Sequence, residues 1–330
     1  MSLAYESNIK ANTALEMTRH VATLSHVRGK GIDVFMALQL YAGVMVETAL
    51  YFEEPIDALK SILDKFTASM DKKPYSGELP LFVCPPAYIV EDNAERGREL
   101  ARQLMCDWER DIYGFVDLIV YLAYHNLSEW DNQDIPIDES SRLVIECAWR
   151  ALAYEIAAQE LCDASLDHMM LKQEWQLADC LVSLSGAAGG YVSEEHAKRE
   201  TATPDKMFYV GEFSGMSLPI QFDEIVYVMT REAARHGVTC GEDWRLGLAA
   251  NDCPAYAPVD VVRSFKPYCE SLLPILKLEN SYDYAVVCAK AAGRMLAVVA
   301  GGEEPEIAPV IAKPLALAAM IEMFKSTRPE

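Results

Sequence analysis

The segment Asp111–Leu127 places groups that could exchange a proton or bind a polar ligand inside an almost entirely apolar helical pattern. At 100° per residue, Tyr113, Asp117, Tyr121 and His125 fall on one stripe of that helix. A helix that is apolar all round is usually buried, and a buried carboxylate needs a partner. We therefore expect a pocket wall in which Asp117 and His125 share a proton or bind a ligand. The alternative is purely structural: tyrosine hydroxyls form hydrogen bonds with Asp117, and His125 lies at the solvent-exposed end of the helix.

Charged side chains also interrupt three other apolar helical patterns, where they are costly unless they are paired. Glu47 and Glu155 each lie in such a pattern, and Lys290 and Arg294 form a basic pair spaced i, i+4 in another. Two arrangements follow, a buried ionic network or a ring of charges around a central cavity. The candidate buried polar cluster consists of Glu47, Asp117, Tyr121 and His125.

A local basic segment, Arg28-Gly29-Lys30-Gly31, precedes the second predicted helix. A glycine-rich turn at a helix N-terminus can bind an anion through its free N–H groups, which makes Arg28 and Lys30 candidate anion-binding residues. The alternative is a glycine-capped end of the first helix, with the two cations placed against its dipole.

Familiar catalytic and metal-binding signatures are absent from the sequence. The nine cysteines include no Cys-x-x-Cys pair, and no His-Glu-x-x-His, Glu-x-x-His, Gly-x-Gly-x-x-Gly or Gly-x-Ser-x-Gly pattern occurs. Glu232 and His236, spaced i, i+4, are interpreted as a surface pair. We therefore predict neither a metal site nor a cofactor.

Helical periodicity dominates the chain and predicts a mainly α fold, a multi-helix bundle of roughly ten helices. Near 205–222 the pattern changes to a small irregular element or a β-hairpin around Ser214-Gly215. The run Gly186–Gly190 is expected to end a helix. A domain boundary near 195–205 would separate helical regions 1–195 and 205–330, and one continuous domain is the alternative.

One internal similarity relates two distant parts of the chain. Residues 41–70 align without gaps on residues 291–320, and nine of the thirty positions are identical, including Ala-Gly-x-Met and Glu-Glu-Pro. Both segments are predicted to form helix, turn and helix. A duplication would explain the match, as would chance similarity between two alanine-rich helical hairpins.

Composition restricts the classes of partner. The 29 lysines and arginines against 50 aspartates and glutamates give a formal net charge of −21, and 51% of residues are hydrophobic. This apolar content excludes a disordered chain, and the acidic balance disfavours nucleic acid and anionic membranes while favouring a basic protein partner. The cysteine pattern and the lack of a signal peptide at the start of this sequence predict a cytoplasmic location.

These observations favour a soluble acidic helical protein that acts in protein interaction or regulation without catalytic activity. Two alternatives remain open. One is an enzyme or small-ligand-binding protein with a pocket between helices, lined by Asp117, Tyr121 and His125. The other is an acidic decoy that binds a basic nucleic-acid-binding protein, which would need carboxylates spaced along one face like phosphates.

Overall fold

Helices make up nearly all the regular structure of this computed structural model, which confirms the predicted mainly α, multi-helix bundle. The structure describes residues 3–24, 34–70, 87–130, 137–171, 174–202, 209–213, 216–239, 254, 256–278 and 280–326. The chain divides into two compact units, Met1–Leu152 and Ala153–Glu330. Within the described ranges, no helix combines the length and the apolar character that a membrane crossing requires.

The first unit is built around one apolar helix. Its helices are α1 (Leu3–Thr23), α2 (Val34–Leu50), α3 (Pro55–Ala68), α4 (Ala87–Met105), α5 (Ile112–Trp130) and the first half of α6 (Ile137–His168). A short 3-10 helix, Cys106–Trp108, joins α4 to α5. Helix α2 packs closely on α4: an added β-carbon at Gly43 would lie 1.8 Å from the carbonyl oxygen of Ala94. The main chains of the two helices therefore touch at this crossing.

The second unit packs two long apolar helices, α7 and α10, against their neighbours. Its helices are the second half of α6, α7 (Leu177–Ala202), α8 (Ile220–Arg235), α9 (Pro258–Leu272), α10 (Ser281–Ala300) and α11 (Pro309–Ser326). A 3-10 turn at Leu273–Leu276 follows α9. Asn280 caps α10, because its side chain accepts a hydrogen bond from the Asp283 N–H at 2.7 Å.

Two short antiparallel strand pairs interrupt the helices of the second unit. Strands β1 (Met170–Leu171) and β2 (Glu174–Trp175) pair between α6 and α7. Strands β3 (Tyr209–Phe213) and β4 (Met216–Pro219) pair between α7 and α8, with Phe213 opposite Met216 and Tyr209 opposite Pro219. The second pair lies where a hairpin was predicted.

The glycine-rich run Gly186–Gly190 continues α7 instead of ending it, which corrects the prediction from sequence. An added β-carbon at Gly189 would lie 2.1 Å from the carbonyl oxygen of Met320 on α11. At Gly186 it would lie 2.5 Å from Cγ2 of Val262 on α9. These glycines are needed where other helices cross α7, and the tertiary contacts override their low helix propensity.

The continuous α7 belongs to the second compact unit, because it packs on α10 and α11. The chain passes from the first unit to the second between Leu152 and Ala153, inside α6. A domain boundary near 195–205, with helical regions 1–195 and 205–330, stays a prediction.

The two similar segments, 41–70 and 291–320, both place a glycine where another helix crosses closely. They differ in the turn that follows. Gly293 of α10 matches Gly43, and an added β-carbon there would lie 2.4 Å from the carbonyl oxygen of Met229 on α8. In the first segment Pro55 begins α3, whereas α11 begins at Pro309, four residues beyond the matching Pro305. The structural similarity of the two segments therefore includes the glycine crossing. It does not include the position at which the following helix, α3 or α11, begins.

Adjacent glycines of α7 allow a matched test of the crossing. Gly189→Ala is expected to destabilise the protein by about 1–3 kcal/mol, because its methyl group would overlap the main chain of α11. Gly190 has no heavy atom within 4 Å of an added β-carbon, so Gly190→Ala is expected to stabilise α7 by about 0.5–1 kcal/mol. Urea unfolding followed by far-ultraviolet circular dichroism measures both. Equal changes in the free energy of unfolding for the two substitutions would contradict the close contact between Gly189 and the main chain of α11.

Candidate functional site

The polar stripe of α5 lies on the surface of the first unit, so the expectation of burial is corrected. Tyr113 is 65% exposed and Tyr121 58% exposed, the Asp117 side chain is 66% exposed, and His125 is also exposed. The opposite face supplies the buried residues, which are Ile112, Phe115, Val116, Ile119, Val120, Ala123 and Leu127. That face is sufficient for packing, and the hydroxyl, carboxylate and imidazole groups keep their contact with water.

The structure separates the four residues of the predicted buried polar cluster. Glu47 pairs with arginines of α4, and Asp117 accepts a hydrogen bond from Lys65 of α3 at 2.6 Å. Tyr121 stacks on His125, with ring centroids 6.0 Å apart and planes 3° from parallel. The four residues therefore do not meet in a buried cluster. Arg28 and Lys30, the candidate anion-binding residues, lie outside the described residues.

A cavity of about 500 Å³ opens beside this stripe, between α5, α3 and the turn that joins α2 to α3. Its floor is apolar, with buried Ile62 and Val116 and half-buried Ala58. Tyr113 forms one wall, and its ring centroid lies 5.7 Å from that of Phe52. We call this cavity, with its rim and the exposed aromatic residues beside it, the aromatic–acidic groove.

The turn before α3 explains why aromatic side chains lie at this surface. Helix α2 ends at Leu50, and Pro55 begins α3 because proline fits the first helical position and lacks the N–H that a longer α2 would need. The four intervening residues include Tyr51 and Phe52, whose rings make an edge-to-face contact at 6.1 Å. Tyr51 is 53% exposed and Phe52 is half-buried, so this turn leaves both rings at the surface. The signal for it in the sequence is the aromatic pair directly before Glu53-Glu54-Pro55.

Helix α5 is also fixed at its start, which sets the position of Tyr113. The Asp111 side chain accepts a hydrogen bond from the Gly114 N–H at 3.0 Å, as an N-cap residue does. An added β-carbon at Gly114 would lie 2.2 Å from a carboxylate oxygen of Asp111, so glycine leaves room for this cap. The capped first turn therefore presents Tyr113 to the groove.

Charge around the groove is predominantly negative. The charged residues that line it or pair with its lining are Glu53, Glu54, Asp57, Asp117, Lys60 and Lys65. Lys60 lies 3.3 Å from Asp57, and Lys65 lies 2.6 Å from Asp117. Four carboxylates against two lysines leave two negative charges in excess. The exposed glutamates at the α2–α3 turn, Glu53 and Glu54, are therefore free to attract a cation at the rim.

The first unit buries a second group of charges away from the groove. This α2–α4 ion cluster consists of Glu47, Glu95, Arg98 and Arg102. Arg98 donates to Glu47 at 2.9 Å and to Glu95 at 3.2 Å, and Arg102 donates to the same two residues at 2.8 and 3.1 Å. Two carboxylates and two guanidinium groups thus neutralise one another between the two helices, which is a structural arrangement.

The second unit contains a larger group, the α6–α8–α10 ion cluster, formed by Glu155, Glu232, Arg235, Lys290 and Arg294. Lys290 is 1% exposed, and its Nζ lies 2.6 Å from Glu155 and 3.7 Å from Glu232. Arg294 bridges the same two glutamates. Of the two arrangements expected from the sequence, the structure shows a buried ionic network for Glu155, Lys290 and Arg294, and Glu47 is not part of it.

Glu232 belongs inside this cluster, which corrects its interpretation as a surface partner of His236. The residue is 2% exposed, and Arg235 donates to its carboxylate at 2.7 Å. Burial alone would raise the pKa of Glu232, but Lys290, His236 and Arg235 outweigh it and hold that pKa well below its usual range. The i, i+4 spacing to His236 could not reveal these cations, because Lys290 comes from a helix distant in sequence.

Burial makes three cysteines of the described part of the chain poor nucleophiles. Burial raises the pKa of Cys147 to about 12, of Cys162 to about 11 and of Cys180 to about 12. These thiols therefore stay protonated and unreactive near neutral pH. Among the described residues, no group of three or more histidines, cysteines, aspartates or glutamates could hold a metal ion.

Removing Lys290 tests whether the α6–α8–α10 ion cluster stabilises the fold. Lys290→Met keeps the apolar stem and deletes the charge between two buried glutamates, so we expect a loss of about 3 kcal/mol in the free energy of unfolding. Arg263→Met is the control, because Arg263 and Asp260 form an exposed pair at 3.5 Å whose loss costs at most about 1 kcal/mol. A similar loss in both variants would argue against the cluster.

The lowered pKa of Glu232 predicts a specific dependence on pH. A group whose pKa is depressed by folding stabilises the protein above its unfolded pKa, near 4.5 for glutamate, and this contribution falls as the pH drops below that value. The wild type should therefore exceed Glu232→Gln in stability at pH 7, and the gap should narrow steadily between pH 5 and pH 3. Urea unfolding at each pH measures the gap. A constant gap would contradict the assignment.

No family model, no curated protein and no solved structure matches this chain. Function is therefore inferred from the burial, the contacts and the charges of the described residues.

Proposed function

We propose that this protein acts without catalysis, as an interaction protein that binds a partner protein through the aromatic–acidic groove. The exposed tyrosines of α5 support the proposal: Tyr113 lines a cavity with a buried apolar floor, and Tyr121 is exposed about two turns further along the same helix. Tyrosine is enriched at protein interfaces because its rigid ring supplies a large contact area and its hydroxyl tolerates water in the unbound state.

The distribution of polar groups supports binding over chemistry. Catalytic groups act most strongly when they are held in a site from which water is excluded. Here the exposed carboxylates and lysines surround an open groove, while the buried Glu95, Arg98, Glu155, Glu232 and Lys290 are paired within the two ion clusters. The groove thus has the apolar floor and the polar rim of an interface.

The composition supports the same proposal at the level of the whole chain. A net charge of −21 favours solubility and attracts basic partners over long distances. The cytoplasmic location expected from the cysteine pattern forms part of this proposal, and so does a regulatory role for the interaction.

Peptide selection tests whether the groove binds proteins. A displayed library of random twelve-residue peptides would be selected on the full-length protein, and the enriched peptides would be synthesised for fluorescence anisotropy. Tyr113→Ala is expected to weaken their binding about tenfold or more, as truncation of an interface tyrosine commonly does. Tyr227→Ala is the matched control, because Tyr227 is 54% exposed on α8 of the second unit.

Folding is checked in both variants by circular dichroism and by the thermal midpoint. Peptides that bind the wild type and Tyr113→Ala equally well would overturn the proposal, as would a selection that enriches no peptide.

A further inference from the structure

We infer that the partner segment is basic and inserts an arginine side chain into the aromatic–acidic groove. This inference rests on the proposed function and specifies the chemistry of the partner. It follows from the combination, in one cavity, of an apolar floor, an aromatic pair and an acidic rim.

The apolar floor matches the aliphatic part of an arginine side chain. Ile62 and Val116 are buried at the base of the cavity, and Ala58 lies beside them. Long basic side chains cover apolar surface with their methylene groups while their charged heads remain at a polar rim. A cavity of about 500 Å³ lies within the usual range for binding sites and leaves room for such a side chain to enter.

The upper part of the groove matches the guanidinium group. Phe52 and Tyr113 form a tilted aromatic pair at 5.7 Å, and cations bind favourably over aromatic faces. Glu53 and Glu54 are exposed at the same rim and can accept hydrogen bonds from a planar guanidinium fork. Arginine satisfies both requirements at once, whereas lysine presents a compact charge with no planar face.

The lysines near the groove do not cancel this attraction. Lys65 lies 2.6 Å from Asp117 and Lys60 lies 3.3 Å from Asp57, so each is matched by a carboxylate. The rim keeps an excess of two negative charges from Glu53 and Glu54. The same charge disfavours a second copy of this chain as the occupant, since two chains of net charge −21 repel each other.

The exposed aromatic residues extend beyond the cavity, which favours a peptide segment over a small organic cation. Eight residues separate Tyr113 from Tyr121 on α5, a distance of about 12 Å along the helix axis. Tyr121 is stacked on His125, which lengthens this surface by a further turn. A small cation would occupy the cavity alone, whereas a segment anchored by arginine can also contact Tyr121.

Binding of designed peptides to the full-length protein tests this inference. The probe is a fluorescein-labelled twelve-residue peptide of alternating arginine, leucine and serine. Its match carries citrulline, a neutral group of the same shape, in place of each arginine. We expect the arginine peptide to bind about tenfold or more tightly than the citrulline peptide. Its affinity should fall as the NaCl concentration rises from 50 to 300 mM.

Carboxylate variants locate the binding. The double variant Glu53→Gln/Glu54→Gln removes the two uncompensated rim charges and is expected to weaken binding of the arginine peptide about tenfold while leaving the fold intact, since both side chains are exposed. Asp260→Asn is the matched control, because Asp260 is an exposed carboxylate on α9 of the second unit. Loss of affinity in the first variant alone assigns the arginine to the groove.

Each other result overturns the inference in a distinguishable way. Equal binding of the arginine and citrulline peptides, with dependence on Tyr113, would retain the groove as an interface and reject the arginine. An equal loss of affinity for the arginine peptide in the rim variant and in the control would indicate that the net charge of the protein alone attracts the peptide. Free arginine amide binding as tightly as the peptide would indicate a site for small cations. No binding of the arginine peptide at 1 mM would reject a basic partner, and the peptide selection would then decide whether the groove binds a neutral one.

Discussion

Pairing of buried charge is the constraint on which each unit of this protein depends. Apolar helices carry glutamate, lysine and arginine into the interior, and an unpaired ion there would cost several kcal/mol. The first unit meets this constraint with Glu47 and Glu95 bridged by two arginines, and the second with Glu155 and Glu232 bridged through Lys290 and Arg294. These pairs join α2 to α4 in the first unit and connect α6, α8 and α10 in the second. In the first unit, α3 and α5 also pack on α2.

The two units meet this constraint with similar local parts. In α4, Glu95 and Arg98 form an i, i+3 pair, and in α8 Glu232 and Arg235 do the same. Each of these helices touches the main chain of a glycine-bearing helix, α2 at Gly43 in one unit and α10 in the other. Their order along the chain differs, since α4 follows α2 whereas α8 precedes α10. Both units therefore combine a close helix crossing at a glycine with a neighbouring buried ion pair.

Local signals in the sequence predict the helices well, and they fail where tertiary contacts decide. Pro55 stands at the start of α3, and Gly237, with φ of +89°, follows the end of α8 at Arg235, and both are residue types typical of these positions. The stripe of Tyr113, Asp117 and Tyr121 is also predicted as one helix face. Periodicity predicts that these residues share a helix face, but it does not predict whether that face is buried or exposed, because tyrosine is compatible with both core and surface. The groove needs α3 beside α5, a contact between distant segments that no local pattern contains.

The helix crossing at Gly43 has a consequence for evolution. The contact joins the glycine to the carbonyl oxygen of Ala94, and every residue type carries that carbonyl. The crossing therefore requires glycine at position 43, whereas position 94 contributes only main-chain atoms to this contact. Distant relatives of this chain would keep the spacing of crossing glycines and buried glutamates while most neighbouring positions diverge. A search by such spacing, rather than by overall identity, is the approach suited to finding them.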